Sequence, residues 1–587
     1  MATSKNRSIH LQEIIEIDSS LRYSFAMNRY AIGLDYGTNS CRSLLVNIDT
    51  GEELGSVVFP YPSGHQGILT DASDPNLARQ NPQDYLDGAV TIITGAIAQA
   101  KETHPNFNSD EIIGLGVDTT GSTIIPVNVE GTPLSLTPEF ADNLNAHVWL
   151  WKDHTAFEAA ADITTMAEKM RPEYLAKCGG TYSSEWWWSK IWQCKKVDEA
   201  VFDAAYSWVE HCDWLPAVFT GSDKPENTMR SVCAAGHKAM FSDNWGGLPD
   251  KEFLDALDPA LGELRGRLYD KAYDSKAKAG DLSAEWAGKL GLKEGITVAV
   301  GAFDAHMGAV GSGVKAGSLV KILGTSTCDI TVLPESVDLE DVPGVCGVVN
   351  GSVLPNHYGI EAGQSAVGDI FLWFVNNLVP DSYGTTNDEK FIEMGKRLDG
   401  LKPGETGLMG LDWNNGNRTI LTDVRLTGVI LGQTLHTEAH EIYRTLIEAT
   451  AFGALTIINR MEESGIKIDE VVNTGGLAVK NEALMQMYSD ILQRPLKVAA
   501  SDQTCALGAA IFGAACGGTV TIAEVQANCC QMREKTYSPI AENSVIYEEL
   551  YALYKTLHDA FGTSEWQGGL GHVMKDLIRI RQEQRKG

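Results

Sequence analysis

Tyr30-Ala31-Ile32-Gly33-Leu34 is an unbroken apolar run that stops at Asp35 and gives way to Gly37-Thr38-Asn39-Ser40-Cys41. A second extended run, Leu44 to Ile48, follows. The same order returns 287 positions later: Leu319-Val320-Lys321-Ile322-Leu323, then Gly324-Thr325-Ser326-Thr327-Cys328, then Ile330 to Leu333. Each copy reads as a strand, a Gly-Thr/Ser turn and a strand. Glycine opens positive φ to the turn, so that backbone N–H groups can converge on an anion. The hydroxyls of Thr38, Ser40, Thr325, Ser326 and Thr327 add donors. Two copies predict two similar domains that grip a polyphosphate from both sides.

The remaining pattern alternates strands with helices. The first hairpin is expected at Tyr30–Leu34 and Arg42–Ile48, with a turn at Asp49-Thr50-Gly51. Asn81-Pro82-Gln83-Asp84 opens a helix to about Lys101, with Ala89, Ile92, Ile93, Ala96 and Ile97 on one face. Ile112–Val117 is a buried strand ending in Asp118-Thr119-Thr120-Gly121-Ser122-Thr123, followed by Ile124–Val127 and a turn at Gly131. Residues 140–290 look irregular and rich in aromatics, an elaboration that builds a substrate cleft. Its Trp186–Trp188 run reads as core packing rather than ligand stacking. Thr297–Val300 is a strand ending in Gly301-Ala302-Phe303-Asp304-Ala305-His306. Thr437 to Glu463 is an amphipathic helix with Gly465 past its end. Val471-Val472-Asn473 leads into Thr474-Gly475-Gly476 and a helix from Asn481 to Leu492. Cys505 to Cys516, small-residue-rich, reads as a tightly packed buried helix. The class is α/β.

Composition narrows the partners. At 587 residues the chain holds two or three domains. Its 47 basic and 77 acidic residues give a formal charge of −30, which argues against nucleic acid but not against a nucleotide held by local donors and a metal. Eleven scattered cysteines with no C-x-x-C pair read as reduced thiols in the cytoplasm. No run of 18 apolar residues suggests a membrane span. Residues 1–29 show no signal-peptide core. They are either an N-terminal extension or sequence upstream of a natural start at Met27.

Three positions carry chemistry. Asp35 ends a strand two residues before the first turn, where a carboxylate would repel phosphate unless a divalent cation intervened, so it suits Mg2+. Otherwise it is a turn residue. Asp304 also ends a strand, where side chains point into the crevice of an α/β sheet. It can take the proton of an attacking hydroxyl, and it can cap the helix Ala305–Gly311. Gly475-Gly476 would let a flat ring such as adenine lie against backbone. No Walker-type loop, zinc motif or hydrolase elbow is present.

Four segments together resemble the FGGY carbohydrate kinases of the actin-like ATPase superfamily: Gly33–Ser40, Gly301–His306, Gly324–Thr327 and Asn473–Asn481. The resemblance runs from about residue 30 to 560. It implies two actin-like (ribonuclease-H-like) domains flanking a cleft: 30–300, sugar-binding with the aromatic-rich insertion, and 301–560, ATP-binding. Residues 561–587 form a tail. Trp149–His154, Ala235–Ala239 and Gly359–Asp369 point, within the family, to L-ribulose as substrate and to L-arabinose breakdown. By this resemblance Asp304 is the base, and Lys238, Glu361 and the backbone near Gly121 contact the sugar. Thr38, Asn39, Ser40 and Arg42 line the phosphate path, with Gly324, Thr325, Ser326 and Thr327 opposite. Asp35 attends Mg2+, and Gly475, Gly476 and Asn481 hold the adenosine of ATP. Other pentuloses (D-ribulose, D-xylulose), an actin-like filament or chaperone ATPase, and a sugar sensor without catalysis are the competing readings. A homodimer stays open.

Overall fold

The computed structural model describes residues 28–586. The expected N-terminal extension, up to Met27, lies outside them.

Two sheets frame the molecule, and each is built on one copy of the repeated hairpin. In the first half, β1 (Tyr30–Tyr36) pairs antiparallel with β2 (Ser40–Asn47), and β3 (Glu53–Pro60) continues beyond it. On its other side β1 runs parallel to β4 (Ile112–Thr119). β5 (Lys278–Asp281) and β6 (Thr297–Ala299) complete that edge, and the short β7 (Ala302–Phe303) pairs with the end of β4. In the second half, β8 (Gly317–Leu323) pairs antiparallel with β9 (Thr327–Pro334). β10 (Gly347–Asn350) and β11 (His357–Ala362) extend the sheet beyond β9. β12 (Ile468–Thr474), parallel to β8, and β13 (Leu496–Val498) extend it the other way. Thus β8 has the same pair of neighbours as β1, one antiparallel hairpin mate and one parallel strand, as the repeat in the sequence predicts.

The expected helices form close to their expected bounds. α1 (Pro82–Thr103) starts where the Asn81 side chain accepts the Gln83 N–H, and buries the predicted apolar face. The amphipathic helix runs Ala439–Glu463, behind a capping box between Glu438 and Glu441. The expectation for residues 140–290 needs correction. That stretch is not irregular but carries a series of short helices, including Phe157–Met170, Trp187–Val197, His211–Thr220 and Lys251–Leu257. They are cut short by prolines and by Asp198, Asp250 and Asp258, whose side chains cap the next helix. The shorter ones span too few turns to show a clear 3.6-residue period, whereas Phe157–Met170 does carry one, in the buried face Ala159, Ala160, Ile163 and Ala167. Trp187, Trp188 and Trp208 fill the core beneath them. Within the stretch set apart as a tail, Val573–Lys586 is a helix whose Val573, Leu577 and Ile580 are buried in the second half's core.

One helix ties the halves together. α2 (Thr504–Ala515) belongs to the second half by sequence, yet lies on β1 and β4 of the first sheet and against α3 (Asp304–Gly311). Small residues permit this contact. A Cβ at Gly33 would lie 1.7 Å from the Ala506 carbonyl oxygen, at Gly114 1.8 Å from that of Gly513, and at Gly116 1.9 Å from that of Ala509. Gly508 meets the Met307 carbonyl in the same way, at 1.9 Å. The obstructing atoms are backbone, which cannot rotate aside. Gly116→Ala should therefore destabilise the protein by about 1–3 kcal/mol. Gly288→Ala, in the helix Ala284–Leu290 with open space around it, should stabilise by about 0.5–1 kcal/mol. Denaturant unfolding of both variants checks the contrast, and equal stabilities would contradict this account of α2.

Candidate active site

β1, β4 and β7 are neighbours, and the chemistry gathers at their common end. Asp35 of β1 lies in register with Asp118 of β4, and Asp118 with Ala302 of β7, two residues before Asp304. Asp304 is the first residue of α3. Phe303 takes the cap position, and the Asp304 Oδ1 accepts the Ala305 N–H at 2.6 Å. The sequence suggested a capping aspartate. The structure instead places it inside the first turn, with part of its surface open while it lies deep among protein atoms.

Three carboxylates thus meet beside a single guanidinium. Arg42, cross-strand from Asp35, approaches its Oδ2 to 3.5 Å. Burial raises the Asp35 carboxyl against the pull of Arg42. Burial, then the charges of Asp35 and Asp304, push Asp118 well above the usual carboxylate range. Burial, then the charge of Asp35, pushes Asp304 up to about 7. Both Asp118 oxygens are buried without a hydrogen-bond partner. A hard divalent ion suits this set, since it takes oxygen ligands and supplies the missing positive charge. Cys505 Sγ lies close to Asp35 and Asp118, but burial holds its thiol protonated. Asp118 was not singled out from the sequence, although it ends a buried strand just as Asp35 and Asp304 do.

Each hairpin turn is closed by its glycine N–H, but over different spans: Gly37 N–H donates to Ser40 O, three residues on, and Gly324 N–H to Ser326 O, two residues on, both at 3.0 Å. Around the first, Trp151 Nε1 donates to Thr38 Oγ1 at 3.0 Å and Asn39 Nδ2 to the Gln66 carbonyl at 2.7 Å. These anchors hold the turn while leaving one Asn39 amide hydrogen, its Oδ1 and the Thr38 hydroxyl hydrogen free. Around the second, Gly324 and Thr325 are exposed and Ser326 half-buried. Thr327 is buried, its Oγ1 accepting from Gln364 N at 2.9 Å and Lys321 Nζ at 3.4 Å. Gly475 follows β12 with φ +99°, and a Cβ there would lie 2.4 Å from the Leu323 carbonyl. Gly476 has open space, and Asn481 caps the helix Glu482–Leu492 through the Leu484 N–H. The start of α2 joins the two strand-end sets: Thr504 Oγ1 is 3.1 Å from Thr474 Oγ1, and Cys505 adjoins Asp35 and Asp118.

Lys238 and Glu361, expected on opposite sides of a cleft, meet directly. Lys238 Nζ lies 3.2 Å from Glu361 Oε1 and 3.3 Å from Oε2, and both residues are buried. Burial opposes ionisation of Glu361, but Lys238 overrides it, helped by His237, His306 and Arg418, and the carboxyl sits well below its usual range. Trp186 lies under the ammonium, 5.1 Å from ring centroid to Nζ, while Trp187 and Trp188 are core. Arg418, also unanticipated, donates to the Thr327 carbonyl at 2.6 Å beside the second hairpin. Gly121 packs on the Phe303 ring, where a Cβ would lie 1.9 Å away.

Strand-end carboxylates gather at the start of α2, and each half carries a Gly-Thr hairpin turn that can offer donors to phosphate. The chain belongs to the FGGY family of carbohydrate kinases: the family's N-terminal domain matches residues 30–311 and its C-terminal domain residues 319–516. It is similar to the ribulokinase of Vibrio parahaemolyticus, 41% identical over 90% of this chain and 95% of that one. It is similar also to the ribulokinase of Shouchella clausii, 40% identical over 96% of this chain and 99% of that one. Among solved structures, xylulose kinase from Rhodospirillum rubrum superposes with a TM-score of 0.75 at 20% identity, over 91% of this chain and all of that one. Glycerol kinase from Plasmodium falciparum with ADP superposes with a TM-score of 0.73 at 15% identity, over 92% and 99%. The two α/β halves are thus the actin-like ATPase fold, and the enzyme is a sugar kinase rather than a filament or chaperone ATPase.

The buried pair makes a stability prediction. Glu361→Ala strands the Lys238 ammonium in the interior, which should cost about 3–5 kcal/mol, seen as a fall of several degrees in Tm. Glu361→Gln, which keeps an acceptor, should cost less. An unchanged Tm for Glu361→Ala would show that water reaches Lys238 and replaces its partner.

Proposed function

We propose that this enzyme transfers the γ-phosphoryl group of ATP to L-ribulose, giving L-ribulose 5-phosphate and ADP, as a step in L-arabinose breakdown. The observation that carries the sugar assignment is the likeness, near 40% identity over most of the chain, to several proteins named ribulokinase. The site supports the chemistry. Asp304 accepts the proton of the sugar's terminal hydroxyl as that oxygen bonds to the γ-phosphorus and the bond from phosphorus to the β–γ bridging oxygen breaks. A carboxyl raised to about 7 is a stronger base than an ordinary aspartate, and about half of it is ionised at neutral pH.

Asp35, with Asp118 beside it, would hold Mg2+, whose charge offsets that of the transferring phosphoryl group. Thr38, Asn39, Ser40, Arg42 and the turn Gly324–Ser326 offer donors to the phosphates from two sides. Gly475, Gly476 and Asn481 line the strand-to-helix turn assigned to adenosine. Lys238, Glu361 and the backbone near Gly121 are assigned to the sugar. Their mutual ion pair means that the sugar hydroxyls insert beside an existing contact rather than create one. The eleven cysteines are all free thiols, which supports a cytoplasmic setting.

The test is a coupled ADP-release assay over ketopentoses, polyols and glycerol. L-ribulose should give the highest kcat/KM, ahead of D-ribulose and D-xylulose by about tenfold or more, the scale of one misplaced buried hydroxyl. A preference for D-xylulose or D-ribulose would reassign the sugar. An absence of sugar-dependent ADP release would reject the mechanism.

A further inference from the structure

Beside the Lys238–Glu361 pair lies a cluster that phosphoryl transfer does not require. His237 precedes Lys238 in the helix Val232–Lys238, and His306 lies two residues after Asp304 in α3. Their Nε2 atoms are 3.0 Å apart. His237 Nδ1 is 3.4 Å from Glu361 Oε2, and His306 Nε2 is 3.8 Å from the same oxygen. Both imidazoles are at most 2% exposed. The Nδ1 atoms of both have no hydrogen-bond partner, and that of His237 faces Glu361. Burial keeps both rings neutral: His306 is lowered to about 4, and His237 falls well below its ordinary value. Neutral imidazole is the form that binds a metal.

We propose that His237, His306 and Glu361 form a binding site for a borderline divalent ion of the Zn2+ type, and that the ion, once bound, excludes the sugar. The dimensions suit such an ion. Metal bonds of about 2.0–2.1 Å in tetrahedral geometry put ligand atoms about 3.3 Å apart, and two histidines with one glutamate are a known three-ligand zinc set with an open fourth position. With His237 ligating through Nδ1 and His306 through Nε2, the two ring nitrogens lie 3.4 and 3.8 Å from Glu361 Oε2, and all three ligand atoms lie within 4.8 Å of one another. Ser352 Oγ, 3.1 Å from His237 Nε2, accepts the N–H of a ring that ligates through Nδ1 and so fixes its orientation. Gly347 lets the ring approach, since a Cβ there would lie 2.0 Å from His237 Nδ1.

Lys238 sets the character of the site. Its ammonium already holds Glu361, so an ion must share or take over that carboxylate against a neighbouring positive charge. The site is therefore reversible and inhibitory rather than a permanent structural one. It is also distinct from the Asp35–Asp118 cluster, whose ligands are hard oxygens beside a thiol. Exclusion of the sugar rests on the assignment of Glu361 to the sugar; binding of the ion does not.

The experiment titrates the full-length enzyme with Co2+ in excess Mg2+, without ATP or sugar, following the visible absorption of the cobalt. Excess Mg2+ occupies the oxygen site first. One Co2+ per chain should bind, with no thiolate-to-metal band, and Zn2+ should displace it. The double variant His237→Gln/His306→Gln should bind Co2+ at least about tenfold more weakly, since losing even outer-shell partners costs that much. Should that variant not fold, X-ray absorption on the unmodified enzyme reads the ligand set directly and should show two imidazoles and oxygen. No binding, a thiolate signature pointing to Cys505, or undiminished binding by a folded double variant would overturn the site. Added L-ribulose should displace the Co2+. Failure of that step alone, with the site intact, would overturn the exclusion of sugar. An assay panel with no active ketopentose would reject the functional reading while leaving the metal titration to be judged by itself.

Discussion

Three carboxylates held out of water beside one guanidinium set the terms for the rest of this structure. Sheet register sets Asp35 beside Asp118, and the short strand Ala302–Phe303 delivers Asp304, at the start of α3, to the same end. Their mutual repulsion and lost hydration oppose folding. The sign follows from the direction of the shift. A carboxyl raised from 3.8 to about 7 leaves stability untouched below pH 3.8 and removes it progressively as pH rises toward 7. For Asp304 that is on the order of 4 kcal/mol at higher pH. The fold offsets this with the buried contact of α2, whose glycines bring helix and sheet backbones nearly into touch. An added divalent ion would relieve the repulsion among these carboxylates and so raise the stability of the fold.

The halves are joined at two levels. α2 crosses from the second half onto the first sheet and starts between the two sets of strand ends, so a movement of one half is felt at Asp35 and Asp118. Farther into the cleft, Lys238 and Glu361 close a buried ion pair between segments 123 residues apart. Such a pair is weak evidence for net stability but costly to break. The pair therefore ties the helix Val232–Lys238 of one half to β11 of the other.

Much of this was legible in the sequence because the pattern was strong. The hairpin at Gly37 and its copy at Gly324 both form, as do the Asn81 cap, the long helix to Glu463 and the small-residue helix after Gln503. Strand-end position singled out Asp35 and Asp304, and the structure brings them together. Asp118 was passed over although it ends a buried strand as Asp35 and Asp304 do; its pairing in register with Asp35 across the sheet is not written in the local sequence. The short helices between residues 172 and 265 were hidden by their length and by proline and aspartate boundaries, whereas the periodic face of Phe157–Met170 was present in the sequence and passed over. The Lys238–Glu361 contact could not be read from either residue alone. It arises from the docking of a helix of one half against a sheet edge of the other, which no local periodicity records.

The central claim, that Asp304 is the base for phosphoryl transfer, is tested most directly by turnover of Asp304→Asn at saturating ATP and sugar. The amide keeps the size and hydrogen bonding of the side chain but cannot take the proton. The account predicts a fall in kcat of about 10²–10⁴-fold, with ATP binding retained and with stability at pH 8 equal to or above that of the unmodified enzyme. A variant with near-normal turnover would contradict it.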